Sequence, residues 1–201
     1  MKLLREYIKE LLLTESIDPK IMSMIDKTEE YGWKVYLFSD KVLIGPPEEL
    51  ERGIARGRVE WGSADGGNAY GSDFGNCSGA EMVGKSYAAR GLGPLLYDIA
   101  IEWTDGLMAD RMEVSSDAEN VWDKYMNSRP DIQAWQLDVP KDYNMPQLTP
   151  YDEEDDCEQA VPIQRMRDAW ADSSLSKIYQ KIYRVPVIDE LEERGMLVRK
   201  R

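Results

Sequence analysis

Two closely spaced glycines lie where the sequence changes from strand-like to helix-like periodicity. Residues 80 to 88, AEMVGKSYA, predict a strand, and apolar residues recur at helical spacing from Pro94 onward. Gly91-Leu92-Gly93 is then the turn between them. Such a turn presents unpaired N–H groups at the positive end of a helix dipole, and glycine lets an anion approach closely. The residues predict an anion site, although the same spacing also occurs in turns that bind nothing.

Two common nucleotide-binding motifs do not fit this turn. A dinucleotide-binding unit requires a third glycine three residues after the second, and Leu96 occupies that place. A P-loop requires Gly-Lys-Ser/Thr after its first glycines, which is also missing. An anion held at this turn therefore needs another explanation.

Composition excludes several classes of chemistry. The 201 residues include no histidine, which excludes Ser-His-Asp hydrolases, Cys-His proteases and histidine-built zinc sites. The net charge of −13 disfavours binding to nucleic acid or to an anionic membrane, and no apolar run is long enough to span a bilayer. Cys77 and Cys157 lack metal-ligand spacing and fit a reducing cytosol. We expect neither a metal, nor direct nucleic-acid binding, nor a membrane.

The elements around the turn follow from periodicity. Asp18-Pro19 predicts the start of a helix that ends at Tyr31-Gly32, and residues 33 to 45 predict two strands joined near Ser39-Asp40. Further short strands are predicted over VEWG, over 111–115 and over IQAWQLDV, with a long loop over 64–80 and a helix after Ser115-Ser116-Asp117. This order predicts an α/β (α+β) fold with a mixed central sheet flanked by helices.

The ends of the chain predict additional segments. Residues 1–16 form an amphipathic helix that either packs on its own domain or docks on a partner, and 17–140 form the globular domain. Residues 141–162 are an acidic, proline-rich linker whose run from Asp152 to Asp156 is typical of a solvated loop, or attracts a basic substrate. Residues 163–201 predict a helical C-terminal extension. Its three short helices are centred on 163–170, 175–182 and 188–191.

Two motifs together resemble the GNAT superfamily of acyl-CoA N-acyltransferases. Its hallmark is Gln/Arg-x-x-Gly-x-Gly/Ala between the fourth strand and the next helix, and residues 88 to 93, AARGLG, are similar except that Ala88 replaces Gln or Arg. Residues 114 to 124, VSSDAENVWDK, resemble its second motif. The likeness covers 33–139 and is greatest to a divergent group from tailed bacteriophages, which shares GxGPLLYD, Asp110-Arg111 and the Val-Trp pair.

The resemblance implies a mostly antiparallel sheet and a site for acetyl-CoA without a metal. The pantetheine arm would bind the strand edge at Met82, Val83 and Gly84. Arg90 would add a charge-assisted phosphate contact, or is an ordinary surface arginine. The coenzyme pyrophosphate would bind the backbone amides of Arg90, Gly91, Leu92, Gly93 and Leu95.

The resemblance also implies how acyl transfer to an amine would be catalysed. Many members use a tyrosine on the later helix as general acid, but Trp122 stands at the matching position. Tyr125, one turn along, is the substitute, or else a core aromatic. Without histidine the candidate general bases are Glu81 and Glu113, acting directly or through water, or each is a structural carboxylate.

Two functions follow from these residues. The first is an N-acyltransferase that uses acyl-CoA and an amine substrate in the host cytoplasm. The second is a catalytically retired phage protein of the same fold that is virion-associated or binds a host component. For this alternative the N-terminal helix would contact phage structural proteins, because it resembles helices that direct proteins into assembling capsids. Ala88 and Trp122 favour the second function, and the two glycines favour the first.

Overall fold

An eight-stranded sheet organises the residues that the computed structural model describes, which are 17–63, 81–104, 106–110, 114–138, 148, 151, 171–182 and 187–200. The strands are β1 Lys34–Leu37, β2 Lys41–Gly45, β3 Gly57–Ser63, β4 Glu81–Ala88, β5 Leu107–Met108, β6 Ile132–Gln136, β7 Lys177–Lys181 and β8 Leu197–Arg199. The α-helices in these ranges are α1 Pro19–Glu30, α2 Pro47–Leu50, α3 Gly93–Trp103, α4 Ser116–Ser128 and α5 Val187–Glu193.

Local signals set the bounds of α1 as expected. The Asp18 carboxylate accepts hydrogen bonds from the amides of Lys20 (2.8 Å) and Ile21 (3.3 Å), and Pro19 occupies the first turn. The helix ends at Tyr31, and Gly32 follows with φ of +64°, a conformation that glycine adopts without strain.

The sheet is mixed and mostly antiparallel, as predicted. The spatial order is β6-β7-β5-β4-β3-β2-β1-β8. Only β4 with β5 and β1 with β8 pair in parallel, and the other five neighbouring pairs are antiparallel. The predicted hairpin of β1 and β2 is confirmed, with Leu37 opposite Val42 across the turn.

Helix α3 carries much of the core. Leu95, Leu96, Ile99 and Ala100 are fully buried and pack in one cluster with side chains of the sheet. Helices α1 and α5 contact α3 from the two ends of the chain. The helix that follows the glycine turn is thus fixed by packing over most of its length.

The tail differs from the prediction, because residues 175–182 do not form a helix. They form the short 3₁₀-helix Ser174–Ser176 and then β7, which pairs with both β5 and β6. Helical spacing does fit the apolar residues of this segment, Leu175, Ile178, Tyr179 and Ile182. Isoleucine and tyrosine also favour strands, and the pairing with β5 and β6 decides in favour of a strand. The helix at 188–191 is confirmed as α5, and the chain then adds β8 next to β1. The C-terminal segment therefore completes the sheet rather than extending from it.

Residues 111–113 of the strand expected over 111–115 lie outside the described residues, and the described residues 114 and 115 are not in a strand. At this point of the described chain the strand is β5, Leu107–Met108, and Val114 and Ser115 lead into α4. The N-terminal helix 1–16, the loop 64–80, residues 163–170 and the acidic run lie outside the described residues. No helix in the described ranges is both long enough and apolar enough to cross a lipid bilayer.

A buried ion cluster joins the tail to the centre of the molecule. The Arg129 guanidinium donates to Asp98 (2.6 and 3.0 Å) and to Asp131 (2.8 and 2.6 Å). The Lys181 ammonium contacts the same two carboxylates at 2.8 and 2.9 Å. Two positive and two negative charges are thereby removed from water together. Because β7 supplies Lys181, the cluster is complete only with the tail in the sheet.

A second carboxylate on α3 holds the start of α5. Glu102 accepts hydrogen bonds from the backbone amides of Val187 and Ile188, both at 3.1 Å. Burial raises the pKa of Glu102 to about 7, although the two amides and the charge of Lys181 act in the opposite direction. Below about pH 7, the protonated form of Glu102 is therefore favoured in the folded protein.

Raising the pH from 5 to 8 is expected to lower the free energy of unfolding through Glu102. The pKa of Glu102 is near 7 in the folded protein and 4.5 ordinarily. Its contribution to the free energy of unfolding is therefore complete below about pH 4.5 and is lost as the pH rises through 7. At about 1.4 kcal/mol for each unit of pKa, the loss is about 2 to 3 kcal/mol. Urea denaturation at several pH values measures it.

Glu102→Gln is expected to remove this loss, because glutamine keeps an oxygen acceptor and does not titrate in this range. The exposed Glu193→Gln on α5 is the control and should keep the wild-type dependence. An unchanged pH slope in Glu102→Gln would contradict the assignment.

Candidate functional site

A β-bulge lies in the middle of β4. Lys85 pairs with Glu60 and Val83 pairs with Trp61, so β4 has one residue more than β3 and Gly84 has no partner across the ladder. A bulge bends its strand and reverses the alternation of side chains. Val83 and Ser86 consequently lie on the same face, although they are three positions apart in the sequence.

The other edge of β4 is largely open. Its parallel pairing with β5 joins Glu81 to Leu107 and Met82 to Met108. Within the described part of the chain, no strand pairs with this edge beyond Met82. Among the described residues, the backbone groups of β4 from Val83 onward thus have no strand partner on that side.

The glycine turn that follows β4 has a rare backbone conformation. Arg90 and Gly91 are both left-handed, with φ of +58° and +71°, and the amide of Ala89 ties the turn to the carbonyl of Arg56 at 2.8 Å. A non-glycine residue in this region costs about 1 to 2 kcal/mol, so the surrounding structure holds Arg90 there. Strain of this kind is frequent at binding sites.

The start of α3 leaves backbone donors unused. Leu92 precedes the helix and makes no side-chain capping bond, and its amide donates to the carbonyl of Ala89 at 3.3 Å. Among the described residues, no acceptor pairs with the amides of Gly91 or Gly93. These two amides provide the unpaired donors that the sequence predicts, at the positive end of α3.

An open cleft of about 530 Å³ lies between the second half of β4, the glycine turn and the start of α4. This volume is within the usual range of small-molecule sites, about 300 to 1,000 Å³. The residues that line it are Val59, Ser86, Tyr87, Ala88, Gly91, Gly93, Pro94, Tyr97, Ser115, Asp117, Ala118 and Val121. We call it the β4–α4 cleft.

Two hydroxyl groups meet in the wall of the cleft. Tyr97, from the second turn of α3, donates a hydrogen bond of 2.8 Å to Ser86 Oγ on β4. Tyr97 is buried and Ser86 is exposed to the cleft. Burial raises the pKa of Tyr97, against the effect of the bond to Ser86, and the charge of Asp110 adds to the rise. The phenol therefore stays protonated at neutral pH.

The structure separates the predicted amide donors. Gly91 and Gly93 line the cleft, whereas the side chains of Val83, Leu92 and Leu95 are buried in the core. The amide of Leu92 is already used within the turn. The amides of Arg90 and Leu95, like those of Gly91 and Gly93, have no acceptor among the described residues, so four of the five amides that the resemblance implies keep an unused donor.

Arg90 points away from the cleft, and the predicted phosphate contact of its side chain does not fit this position. Its guanidinium lies over the rings of Tyr31 (4.3 Å) and Trp33 (5.2 Å). It lines a separate cavity of about 240 Å³ next to Trp33 and Arg56. Cation–π contacts, rather than a phosphate, hold it there.

Tyr125 is a core residue, and a role as proton donor in the cleft does not fit its position. Its hydroxyl lies 3.0 Å from both the carbonyl of Pro94 and Asp98 Oδ1. Only 2% of its surface is exposed, and burial together with the charge of Asp98 raises its pKa well above the ordinary value. Trp122 is equally buried and stacks on Tyr179.

The predicted bases stay predictions. Glu81 and Met82 belong to β4 through their backbone, and their side chains are outside the description, as is the whole of Glu113. The cleft adds five polar residues that sequence reasoning did not assign to it: Ser86, Tyr87, Tyr97, Ser115 and Asp117. The sequence pattern does not reveal Ser86, because the bulge reverses the alternation of β4 before it, nor Tyr97, which is not among the residues of the predicted apolar face of α3.

Comparisons of this chain with protein-family models, with curated proteins and with solved structures give no match. The functional argument therefore rests on the geometry of the β4–α4 cleft.

Proposed function

We propose that this protein is an N-acyltransferase that binds acetyl-CoA, or another acyl-CoA, in the β4–α4 cleft, with the arrangement of a GNAT domain. The observation that carries the proposal is that two unpaired amides and an open strand edge face one cleft. The amides of Gly91 and Gly93 suit the pyrophosphate. The edge of β4 from Val83 onward suits the amide-bearing pantetheine arm, which would bind as an added strand does.

The chain's backbone supplies most of the polar contacts in this proposal. Arg90 faces away, and Asp117 is the acidic residue in the lining, so dipoles rather than side-chain charges would hold the phosphates. A Cβ on Gly91 would meet no atom within 4 Å, which leaves open space next to its amide. This space is what an anion in contact with the backbone requires.

The proposed reaction balances without a further reactant. The amine nitrogen attacks the thioester carbonyl carbon, a C–N bond forms, the C–S bond breaks and its electron pair stays on sulfur. The nitrogen loses two protons in all, one from the ammonium before attack and one after the C–N bond forms. One of them is released through the base to water, and the other is the equivalent of the proton that the thiolate gains. Asp117 joins Glu81 and Glu113 as a candidate base, and the net charge of −13 favours a cationic amine as acceptor.

The second candidate is a binding protein of the same fold without turnover, associated with a phage virion or with a host component. The burial of both Trp122 and Tyr125 favours it, because α4 then offers no proton donor to the cleft from either position. Such a protein would not transfer an acyl group, whether or not it binds acyl-CoA.

Acetyl-CoA at about a hundred times its dissociation constant is expected to stabilise the wild-type protein by about 2.7 kcal/mol, a rise in Tm of about 5 to 10 °C. Gly91→Asp should abolish this rise, because it places a carboxylate next to the proposed phosphate. Gly53→Asp is a matched control, since Gly53 also has a positive φ, +75° against +71°, and open space around its Cβ, and it lies outside the cleft.

Thermal shift with each protein measures binding, and release of free thiol with acylation of added polyamines measures turnover. No shift in the wild-type protein with any acyl-CoA would refute the proposal. A rise in Tm that persists in Gly91→Asp would indicate that the ligand binds somewhere other than the glycine turn. Binding without turnover would select the second candidate.

A further inference from the structure

The Tyr97–Ser86 pair is the polar feature of the cleft that neither the sequence nor the resemblance assigned. Ser86 Oγ accepts from the Tyr97 hydroxyl, and no acceptor for the Ser86 hydroxyl proton is present among the described residues. Because Ser86 is exposed to the cleft, its unused hydroxyl donor faces the volume in which we propose that acyl-CoA binds.

The other hydroxyl groups of the lining are engaged elsewhere. Tyr87 donates to the carbonyl of Ala55 at 3.3 Å, away from α4. Ser115 Oγ accepts from the amide of Ala118 at 3.2 Å and caps the helix. Ser86 and Ser115 are thus the hydroxyl groups of the described lining whose donors have no acceptor among the described residues. Of the two, Ser86 is the one whose oxygen accepts from a second hydroxyl group, that of Tyr97.

Packing fixes Tyr97 in place. Its ring contacts Trp122 edge to face, with 5.0 Å between centroids, and Trp122 stacks on Tyr179. Trp122 stands where the resemblance implies a tyrosine. The phenol of Tyr97, which contacts Trp122, lies next to that position and reaches the cleft wall from α3. A buried phenol that does not ionise orients a neighbouring hydroxyl more readily than it gives up a proton.

On the premise of the proposed function, we propose that Ser86 donates a hydrogen bond to the sulfur of coenzyme A as negative charge develops there, and that Tyr97 is a positioning residue that orients and polarises the Ser86 hydroxyl. No proton needs to be transferred from Tyr97 in this arrangement. The pair stabilises charge, as preorganised donors do in other acyl-transfer sites.

The test is the pKa of the coenzyme A thiol when bound, measured from thiolate absorbance during a pH titration. Bound to the wild-type protein, the thiol is expected to have a pKa about one unit lower than in Ser86→Ala, because only the wild type hydrogen-bonds the thiolate. Ser86→Thr should restore the wild-type value, and Tyr97→Phe should lie between. The negative charges near the site, Asp117 in the lining and Asp110 near Tyr97, are the same in all variants.

Ser128→Ala, at the exposed end of α4, is the control and should titrate as the wild type does. Affinity for coenzyme A at pH 6, where the thiol is neutral, should change less than twofold in Ser86→Ala. In turnover with an amine, kcat should fall about ten- to a hundredfold with KM unchanged.

The two proposals fail in different ways. If the wild-type protein shows no thermal shift with coenzyme A or acetyl-CoA, both are overturned. If coenzyme A binds and its thiol has the same pKa in the wild type and in Ser86→Ala, only the role of Ser86 is overturned. If Ser86→Thr behaves like Ser86→Ala, a hydroxyl donor is not what Ser86 supplies.

Discussion

Ending the chain after Pro162 is expected to leave a protein that does not fold. The deletion removes β7, which pairs with β5 on one side and β6 on the other, and so leaves both of those strands without this partner. It also removes Lys181 from the buried ion cluster and the fully buried side chains of Tyr179 and Leu191. Buried backbone groups without partners and a lost part of the core are each severe costs.

Ending the chain after Glu193 is the graded comparison. It keeps β7 and α5 and removes the edge strand β8, the buried Met196 and the ion pairs of Arg194. We expect a folded protein that is less stable by about 2 to 5 kcal/mol, the usual cost of losing one large buried side chain. Circular dichroism and urea denaturation distinguish the two deletions. Cooperative unfolding of residues 1–162 would mean that the tail is an appendage, as its sequence suggests.

The parts of the fold that the sequence predicts are those determined locally. Asp18-Pro19 and Gly32 mark the ends of α1, and the alternation on either side of Ser39-Asp40 marks the hairpin. The glycine turn is predictable because glycine adopts without strain the left-handed backbone conformation that Gly91 has there. Each of these signals lies within a few residues of the feature that it specifies.

The parts that the sequence does not predict depend on partners far along the chain. Residues 175–182 carry a helical pattern, and they form a strand because β5 and β6 each offer it an edge. The meeting of Ser86 and Tyr97 depends on the bulge at Gly84, which reverses the alternation of β4 and leaves no clear mark in the pattern. The direction of Arg90 depends on Tyr31 and Trp33, about sixty residues earlier.

The candidate site was therefore predicted in its backbone and not in its side chains. Gly91 and Gly93 were identified because glycine has a distinctive physical role. Tyr125 was assigned from spacing on α4, but spacing gives the face of a helix and not what covers it. Tyr97 on α3 is not among the residues of the predicted apolar face, and its hydroxyl finds a partner only across the strand–helix contact.

Replacing Arg129 by methionine is expected to destabilise the protein by about 3 to 5 kcal/mol, because it leaves Asp98 and Asp131 buried with a single positive charge between them. Burial alone would lower the pKa of Arg129, but the hydrogen bonds that it donates to both carboxylates raise it, so Arg129 stays ionised. For a chain of this length the loss corresponds to a fall in Tm of about 10 °C or more.

Arg194→Met is the matched control, since Arg194 also contacts three carboxylates, those of Asp26, Glu29 and Glu190. These pairs are at the surface, where salt bridges contribute about 1 kcal/mol or less. Urea denaturation at constant m-value compares the two variants. A loss for Arg129→Met no larger than that for Arg194→Met would mean that water screens the cluster.

The double variant Arg129→Met with Asp98→Asn separates the charge imbalance from the loss of contacts. Asparagine still accepts the hydrogen bond from Tyr125, and the remaining pair of Asp131 and Lys181 is neutral overall. We therefore expect the double variant to be more stable than the sum of its single changes by about 1 to 3 kcal/mol.

Burial alone would raise the pKa of Asp131, but Arg129 and Lys181 bring it to about 2, so Asp131 stabilises the fold above its ordinary pKa of 3.8. This contribution is lost as the pH falls toward 2, which places it in a different pH range from that of Glu102.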